Sequence, residues 1–146
     1  MEGPFLVEEF RYSERSGSEL TVGSSKKWES IDPLTLSFYD TDEGTYLVTF
    51  TAPDTWNTEA AGGTQFRIVV WSRGPSEPEQ IAWGLYKNAA ANIHTPFSLV
   101  GIAKIHPNRA GMQIIVQWKT WHSGVSHIGS TGTTSVSAIG KNLHSR

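Results

Sequence analysis

The sequence predicts an all-β fold, an antiparallel jelly-roll sandwich, on three observations. Apolar and polar residues alternate with a period of two in about eight to ten short stretches, which is typical of strands that bury one face. Fourteen Gly and seven Pro among 146 residues supply the turns between these stretches. No stretch shows the apolar period of a convincing helix. An up-and-down barrel is the other arrangement that the same strands allow.

In the first part of the chain, strands follow from alternation and from the turns between them. Phe5–Phe10 and Leu20–Val22 are predicted as two short edge strands. Leu34–Tyr39 and Thr45–Thr51 alternate cleanly on either side of Asp40–Gly44, a segment of turn-forming residues. Two alternating strands that flank such a short turn predict a hairpin.

The middle of the chain predicts two strands and two long loops. Thr64–Trp71 alternates, and Ile81–Tyr86 is a short apolar run after a connection that contains two Pro. Pro53–Gly63 and Lys87–Thr95 are rich in turn-forming and small residues, which indicates loops. Trp56, in the first of these loops, is a candidate surface aromatic.

The last third of the chain carries the clearest strands, Phe97–Ile105, Met112–Trp121 and Thr133–Lys141. The segment HPNRAG between the first two contains Pro, Asn and Gly, which favour a reversal of the chain, so a long hairpin is predicted there. Alternation also predicts an aromatic core. Its members are Phe38, Tyr46, Phe50, Phe66, Phe97 and Trp118.

The strand Phe97–Ile105 is apolar on both faces. Phe97 and Leu99 lie on one face, while Val100 and Ile102 lie on the other. In a single sandwich the outer face of a sheet is wet, so the second apolar face needs a cover. The pattern therefore predicts a subunit interface and an oligomer.

Composition narrows the classes of function. Charged residues make up 18% of the chain and the formal net charge is -2, which gives no electrostatic reason to expect nucleic acid as a partner. The absence of Cys excludes disulfides and thiolate chemistry, and leaves the compartment open. No signal peptide and no membrane span is visible in the sequence. One domain over residues 1–146 is expected from the length.

Five short segments carry a resemblance to a known family. They are Leu47–Pro53, Pro96–Val100, Val116–Lys119, His127–Ile128 with Ser130, and Ser135–Ile139. These segments resemble the tumour-necrosis-factor-like jelly-roll domains found in bacteria and phages, which include the fucose-binding N-terminal domain of a bacterial superlectin. Residues 1–33 match weakly.

The resemblance implies a jelly-roll protomer that assembles as a homotrimer around a three-fold axis, with sugar bound in clefts between protomers. It implies sugar-contacting positions near His94 and Tyr86 and at His122, His127 and Ser130. Gly129 stands where the resemblance implies an acidic residue that grips sugar hydroxyls, and it has no side chain to offer.

The segment Trp121–Ser130 is the sharpest candidate site from the residues themselves. A saccharide site needs an aromatic platform together with side chains that exchange hydrogen bonds with hydroxyl groups, and this segment contains both. The predicted ligand-binding set is Tyr86, His94, Trp121, His122, His127 and Ser130. The alternative is a strand-connecting loop whose Trp packs on a neighbour and whose His side chains are solvated.

The expected function is non-enzymatic binding by a trimeric, lectin-like domain that recognises a glycan, and an extracellular, cell-surface or virion-surface location is favoured. The alternative is the structural trimeric head of a fibre or appendage. No catalytic residue, metal or cofactor is expected. The histidines His94, His122 and His127 are a weaker candidate metal site, and the acidic groups Glu8–Glu9 and Asp40–Glu43 are weaker candidates for glycoside hydrolysis.

Overall fold

The computed structural model describes residues 5–16, 19–22, 27–39, 42–73, 75, 77–106 and 111–144. Ten antiparallel strands make up almost all of this part of the chain, and they pack as two sheets. The strands are β1 (Phe5–Arg15), β2 (Leu20–Val22), β3 (Glu29–Phe38), β4 (Gly44–Asn57), β5 (Gly63–Trp71), β6 (Glu79–Lys87), β7 (Thr95–Ile105), β8 (Met112–Trp121), β9 (Ser126–Ile128) and β10 (Thr134–His144). The predicted all-β sandwich is therefore confirmed, and the barrel alternative is wrong.

The two sheets differ in size and in the way they are built. In the six-stranded sheet, β1 pairs with β10 and β10 pairs with β4, while β7 lies along the other edge of β4. The short strands β9 and β2 extend this sheet beyond the last residues of β4. The four-stranded sheet has the order β3-β8-β5-β6. None of the described residues forms a helix long and apolar enough to cross a membrane.

The core lies between the sheets and contains the side chains that alternation assigned to it. Phe66 is fully buried at its centre, with its ring 5.2 Å from that of Phe50, 4.9 Å from that of Phe97 and 6.0 Å from that of Trp118. Burial of each aromatic or aliphatic side chain of this kind stabilises the folded state by about 1.5–3 kcal/mol. The predicted aromatic core is confirmed, with Phe97 half-buried at its margin.

Both predicted hairpins are wrong. Strand β3 pairs with β8 and strand β4 pairs with β7 and β10, so the turn between β3 and β4 crosses from one sheet to the other. The connection between β7 and β8 also changes sheet. In both cases each strand buries one face against the opposite sheet, and this gives the same alternation as a hairpin would. Among consecutive described strands, β5 and β6 do pair with each other.

Several strand limits also differ from the prediction. β4 continues through Asn57, where a loop beginning at Pro53 was predicted, and a register shift after Ala52 accommodates the Pro. β1 extends to Arg15 because β10 offers it a full-length partner. β9 was not predicted, since a three-residue strand is too short to show a period.

The outer face of the six-stranded sheet carries a band of exposed apolar side chains. Phe10, Ile139, Leu47 and Ile102 are register neighbours across β1, β10, β4 and β7, with exposures of 59, 43, 45 and 52%. Tyr12 and Val100 belong to the adjacent row. These six residues, here called the apolar band, are most of the exposed large hydrophobic side chains of the described chain. The predicted second apolar face of Phe97–Ile105 is confirmed.

Candidate functional site

A buried polar network fixes one end of the sandwich. The hydroxyl of Ser126 lies 2.6 Å from that of Thr64, accepts a hydrogen bond from the hydroxyl of Thr120 at 3.1 Å, and also reaches the carbonyl oxygen of Gly63. Ser126, Thr64 and Thr120 are at most 1% exposed. Buried hydroxyl groups are costly unless each finds a partner, and here they satisfy one another.

Asn57, at the end of β4, extends this network to the loops. Its side-chain amide donates to the carbonyl oxygens of Gly63 at 2.8 Å and Ser123 at 3.0 Å. Its side-chain oxygen accepts the backbone N–H of Glu59 at 2.8 Å, and its own carbonyl accepts the amide of Asn88. Asn57 therefore holds three loops at the same end of the molecule, two through its side chain and one through its backbone carbonyl.

The candidate site lies at this end and is built around Trp56. The imidazole of His94 stacks on the Trp56 ring at 4.1 Å and 18°, and that of His127 stacks on it at 4.7 Å and 4°. His127 points outward, because Ser126 and Ile128 on either side of it are buried. The stack therefore lies on the same outer face as the apolar band, at the end of the six-stranded sheet.

Each histidine of the stack has a carboxylate partner. His94 Nδ1 bonds to Asp54 Oδ1, and His127 Nδ1 lies 2.7 Å from Glu19 Oε2. The Asp54 side chain is 13% exposed, whereas that of its partner His94 is 53% exposed. The opposite holds for the second pair, with His127 at 15% and Glu19 at 44%. Carboxylates and imidazole edges thus reach solvent around a fixed aromatic ring.

Gly129 makes room for this arrangement. A Cβ at position 129 would overlap Asp54 Oδ2 and lie 2.8 Å from Trp56 Cζ3. The backbone N–H of Gly129 also donates to the carbonyl oxygen of Asp54 at 2.8 Å. The carboxylate of Asp54 therefore occupies the space that a side chain at 129 would take.

Gly129→Ala is expected to disturb both the fold and the site. The added methyl group must displace the Asp54 carboxylate and the Trp56 ring, so we expect a loss of about 1–3 kcal/mol in the free energy of unfolding. Chemical denaturation measures the loss, and near-ultraviolet circular dichroism reports the changed tryptophan environment. Ser130→Ala, at the exposed neighbouring position, is the control and should change stability by less than about 0.5 kcal/mol. Equal stability of the two variants would contradict this account.

The structure divides the six predicted site residues. His94 and His127 meet at Trp56, and Ser130 is exposed beside Gly129. Trp121 and His122 instead contact each other, with ring centroids 5.3 Å apart, and Lys87 Nζ lies 4.8 Å over the Trp121 ring. Trp121 is the last residue of β8, in the four-stranded sheet, and His122 is the first residue after it.

Tyr86 faces inward rather than into either group. Its ring packs on Phe97 at 6.0 Å, and its hydroxyl accepts a hydrogen bond from Thr64 at 3.1 Å. Burial raises the pKa of the Tyr86 phenol, and hydrogen bonds with Thr55 and Thr64 oppose that rise. Tyr86 therefore joins the network that supports the loops.

Sequence reasoning missed Asp54 and Glu19 and placed Trp56 in a loop. His94 is far from Asp54 and Trp56 along the chain, and a register shift after Ala52 interrupts the strand that carries those two residues, so no local period connects the three. The one local signal is that Asp54 and Trp56 are two residues apart, because such residues of a strand point to the same face.

The geometry does not support the histidine metal site or the acidic groups for glycoside hydrolysis that the sequence offers as weaker candidates. Among the described residues, no three His, Asp or Glu side chains come together as a metal site. Asp42 accepts hydrogen bonds from Arg11 and from the backbone N–H of Tyr39, which is the role of a structural turn residue. Asp40, and the side chains of Glu8 and Glu9, lie outside the described residues.

Comparison with known proteins identifies the fold. The tumour necrosis factor Eiger from S. frugiperda superposes with a TM-score of 0.53 at 12% sequence identity, covering 90% of this chain and 92% of that one. A structure described as a carbohydrate-binding module from the β-sandwich superfamily is matched at a TM-score of 0.29 and 12% identity, over 92% of this chain and 56% of that one. No family model and no curated protein matches. The chain therefore has a tumour-necrosis-factor-like fold, as predicted.

Proposed function

We propose that this protein is a non-enzymatic, homotrimeric binding domain that recognises a glycan at the end of the face through which its protomers associate. The observation that carries the proposal is the position of the Asp54–His94 and Glu19–His127 pairs on the same outer face as the apolar band. The lectin-like role agrees with the resemblance seen in the sequence. Its support is the hydrogen-bonding groups of these two pairs rather than the fold.

Self-association is supported by the arrangement of the apolar band. Its rows are bounded on one side by Glu14, Ser135, Thr51 and Ser98, and on the other by Thr45 and Lys104. An apolar patch with a polar rim is the usual anatomy of a protein interface. A second copy of the chain is the natural occupant, because closed homo-oligomers use one patch repeatedly. Three copies follow the trimer implied by the sequence resemblance.

Glycan recognition is supported by the groups around Trp56. Carboxylates accept hydrogen bonds from neighbouring sugar hydroxyls, and the exposed imidazole of His94 and the hydroxyl of Ser130 can donate or accept them. The stacked rings offer apolar edges to C–H groups. In a trimer the neighbouring protomer would wall one side of this site, which would give the enclosure that small-ligand sites need.

Asp54→Asn is expected to abolish or weaken glycan binding without affecting assembly. The change keeps the shape of the side chain but removes the charge from a hydrogen-bonding partner, so a loss of about 1.5–3 kcal/mol in binding free energy is expected. The measurement is binding to a broad glycan array, followed by titration with the best ligand. Glu79→Gln, an equally conservative change at an exposed position at the other end of the molecule, should bind like the unchanged protein. Trp121→Ala should also retain binding, because its ring belongs to the other group.

The second candidate is a structural trimeric head that binds no small ligand. It is favoured by the fact that Trp56 is contacted by an imidazole ring from both His94 and His127, which restricts it as a stacking platform. A well-folded trimer that binds nothing across a broad array would establish this role and overturn the lectin proposal.

A further inference from the structure

The outer face of the four-stranded sheet carries a second cluster of aromatic and cationic side chains, far from Trp56 in the fold. Along one row of the register Trp83 neighbours Arg67, which neighbours Gln117. On the adjacent row Gln65 neighbours Lys119. The ring of Trp28, the residue before β3, contacts a cation from each row, Arg67 and Lys119. None of these side chains belongs to the core, and Trp83 is exposed while the others are half-buried.

Arg67 and Lys119 share one aromatic platform. The Arg67 guanidinium carbon lies 4.6 Å from the centre of the Trp28 ring, and Lys119 Nζ lies 4.8 Å from it. Arg67 Nε also donates to Gln117 Oε1 at 2.8 Å, which fixes the guanidinium while its terminal N–H groups remain unused by that bond. Two cations are therefore held together at one place on the sheet.

Within the part of the chain that the structure describes, neither cation forms a salt bridge with a carboxylate. Glu77 acts on Arg67 only through the longer-range electrostatic field, while burial is the larger influence and lowers the pKa of the guanidinium. Arg67 and Lys119 are like charges beside one ring, so an anion that contacts both is attracted to two positive charges at once. The face is therefore complementary to negative charge although the whole chain has a net charge of -2.

An exposed aromatic ring lies next to this pair of cations. Trp83 is 49% exposed, and its indole N–H donates to Gln65 Oε1 at 3.4 Å, which orients the ring along the sheet. The amides of Gln65 and Gln117 add planar hydrogen-bonding groups on the same face. A ring for C–H faces, amides for hydroxyls and paired cations for an acidic group are together the requirements of a charged sugar.

We propose that this face is a second binding site, specific for an acidic saccharide whose carboxylate or sulfate group lies between Arg67 and Lys119 while a sugar ring packs on Trp83. The site is separate from the Asp54 site and does not depend on the proposed function there. A uronate and a sulfate ester share the chemistry that these cations recognise, and the choice between them is left to the test.

The test is a titration of the full chain with dextran sulfate, polygalacturonate and neutral dextran of matched length, followed by tryptophan fluorescence or calorimetry. We expect binding of at least one of the two acidic polymers, weaker binding as salt is raised, and none of neutral dextran. The double variant Arg67→Gln with Lys119→Gln should lose about tenfold or more in affinity. Trp83→Ala should also lower the affinity for the acidic polymer, without changing how that affinity depends on salt.

The single variant Arg67→Gln should also weaken binding, and Arg73→Gln is its matched control, because it removes one positive charge from an exposed residue beyond the end of β5. It should bind like the unchanged protein. Equal losses in Arg73→Gln and Arg67→Gln would show a general charge effect and overturn the site. Binding of a single-stranded oligonucleotide as tightly as of the acidic polysaccharides would overturn the assignment to saccharide. Asp54→Asn, which disables the other site, should leave acidic-polymer binding intact, so the two proposals fail separately.

Discussion

Replacing Leu47 with Asp is expected to convert the proposed trimer into a folded monomer. Leu47 lies in the middle of the apolar band, between Ile139 and Ile102, and its side chain is 45% exposed in the single chain. In the monomer the new carboxylate stays in water. The free energy of unfolding should therefore fall by no more than about 1 kcal/mol, which is the effect of the lower strand propensity of Asp. In the trimer three such carboxylates would be buried without partners, at a cost of several kcal/mol each.

The measurement is the native mass, by light scattering or native mass spectrometry, at several concentrations. The unchanged protein should have three times the 16.1 kDa of the chain, and Leu47→Asp should have 16.1 kDa with the same circular dichroism spectrum. Trp83→Asp is the control, because Trp83 is similarly exposed at 49% but lies on the other sheet. A mass of 16.1 kDa for the unchanged protein would show that the apolar band does not mediate assembly, and the glycan cleft between protomers would then not exist.

The sequence predicts which residues are buried far better than which strands pair. Alternation correctly placed Tyr46, Phe50 and Phe66 in the core, since period two is a property of each strand alone. Pairing depends on the partner. The turns after β3 and β7 have hairpin chemistry, but each strand there has its partners in another part of the chain. The long-range register that decides this leaves no local pattern.

The candidate site was predictable in its histidines and unpredictable in its shape. His127 and Ser130 are predictable as site residues because they are polar residues in a Gly-containing segment. The Trp56 ring, on which His94 and His127 stack, comes instead from β4. Gly129 illustrates the difficulty, because it was read as a missing acidic side chain. In the fold its lack of a side chain admits the carboxylate of Asp54. Only the register of β4 against β9, which pairs Trp56 with His127, brings these groups together.

Asn57→Ala is expected to be strongly destabilising, because Asn57 is fully buried and its side chain makes hydrogen bonds to Gly63, Ser123 and Glu59. Truncation leaves the carbonyl oxygen of Ser123 without this donor and the N–H of Glu59 without this acceptor, while the carbonyl oxygen of Gly63 keeps the hydroxyl of Ser126. Each unsatisfied buried group costs about 1–3 kcal/mol, so a loss of about 4 kcal/mol in the free energy of unfolding is expected after partial relaxation. For a domain of this size that corresponds to a fall of about 10 °C in Tm.

Asn88→Ala is the matched comparison, since it removes the same atoms from a residue that is only half-buried. The Asn88 amide donates to the carbonyl oxygens of Asn57 and Glu59, and water can replace the second of these bonds because it is exposed. A loss of about 1 kcal/mol is therefore expected for Asn88→Ala. Urea denaturation and thermal melting measure the loss of stability in both variants. If the two lose similar stability, then water enters the network around Ser126 and replaces the hydrogen bonds of the Asn57 side chain.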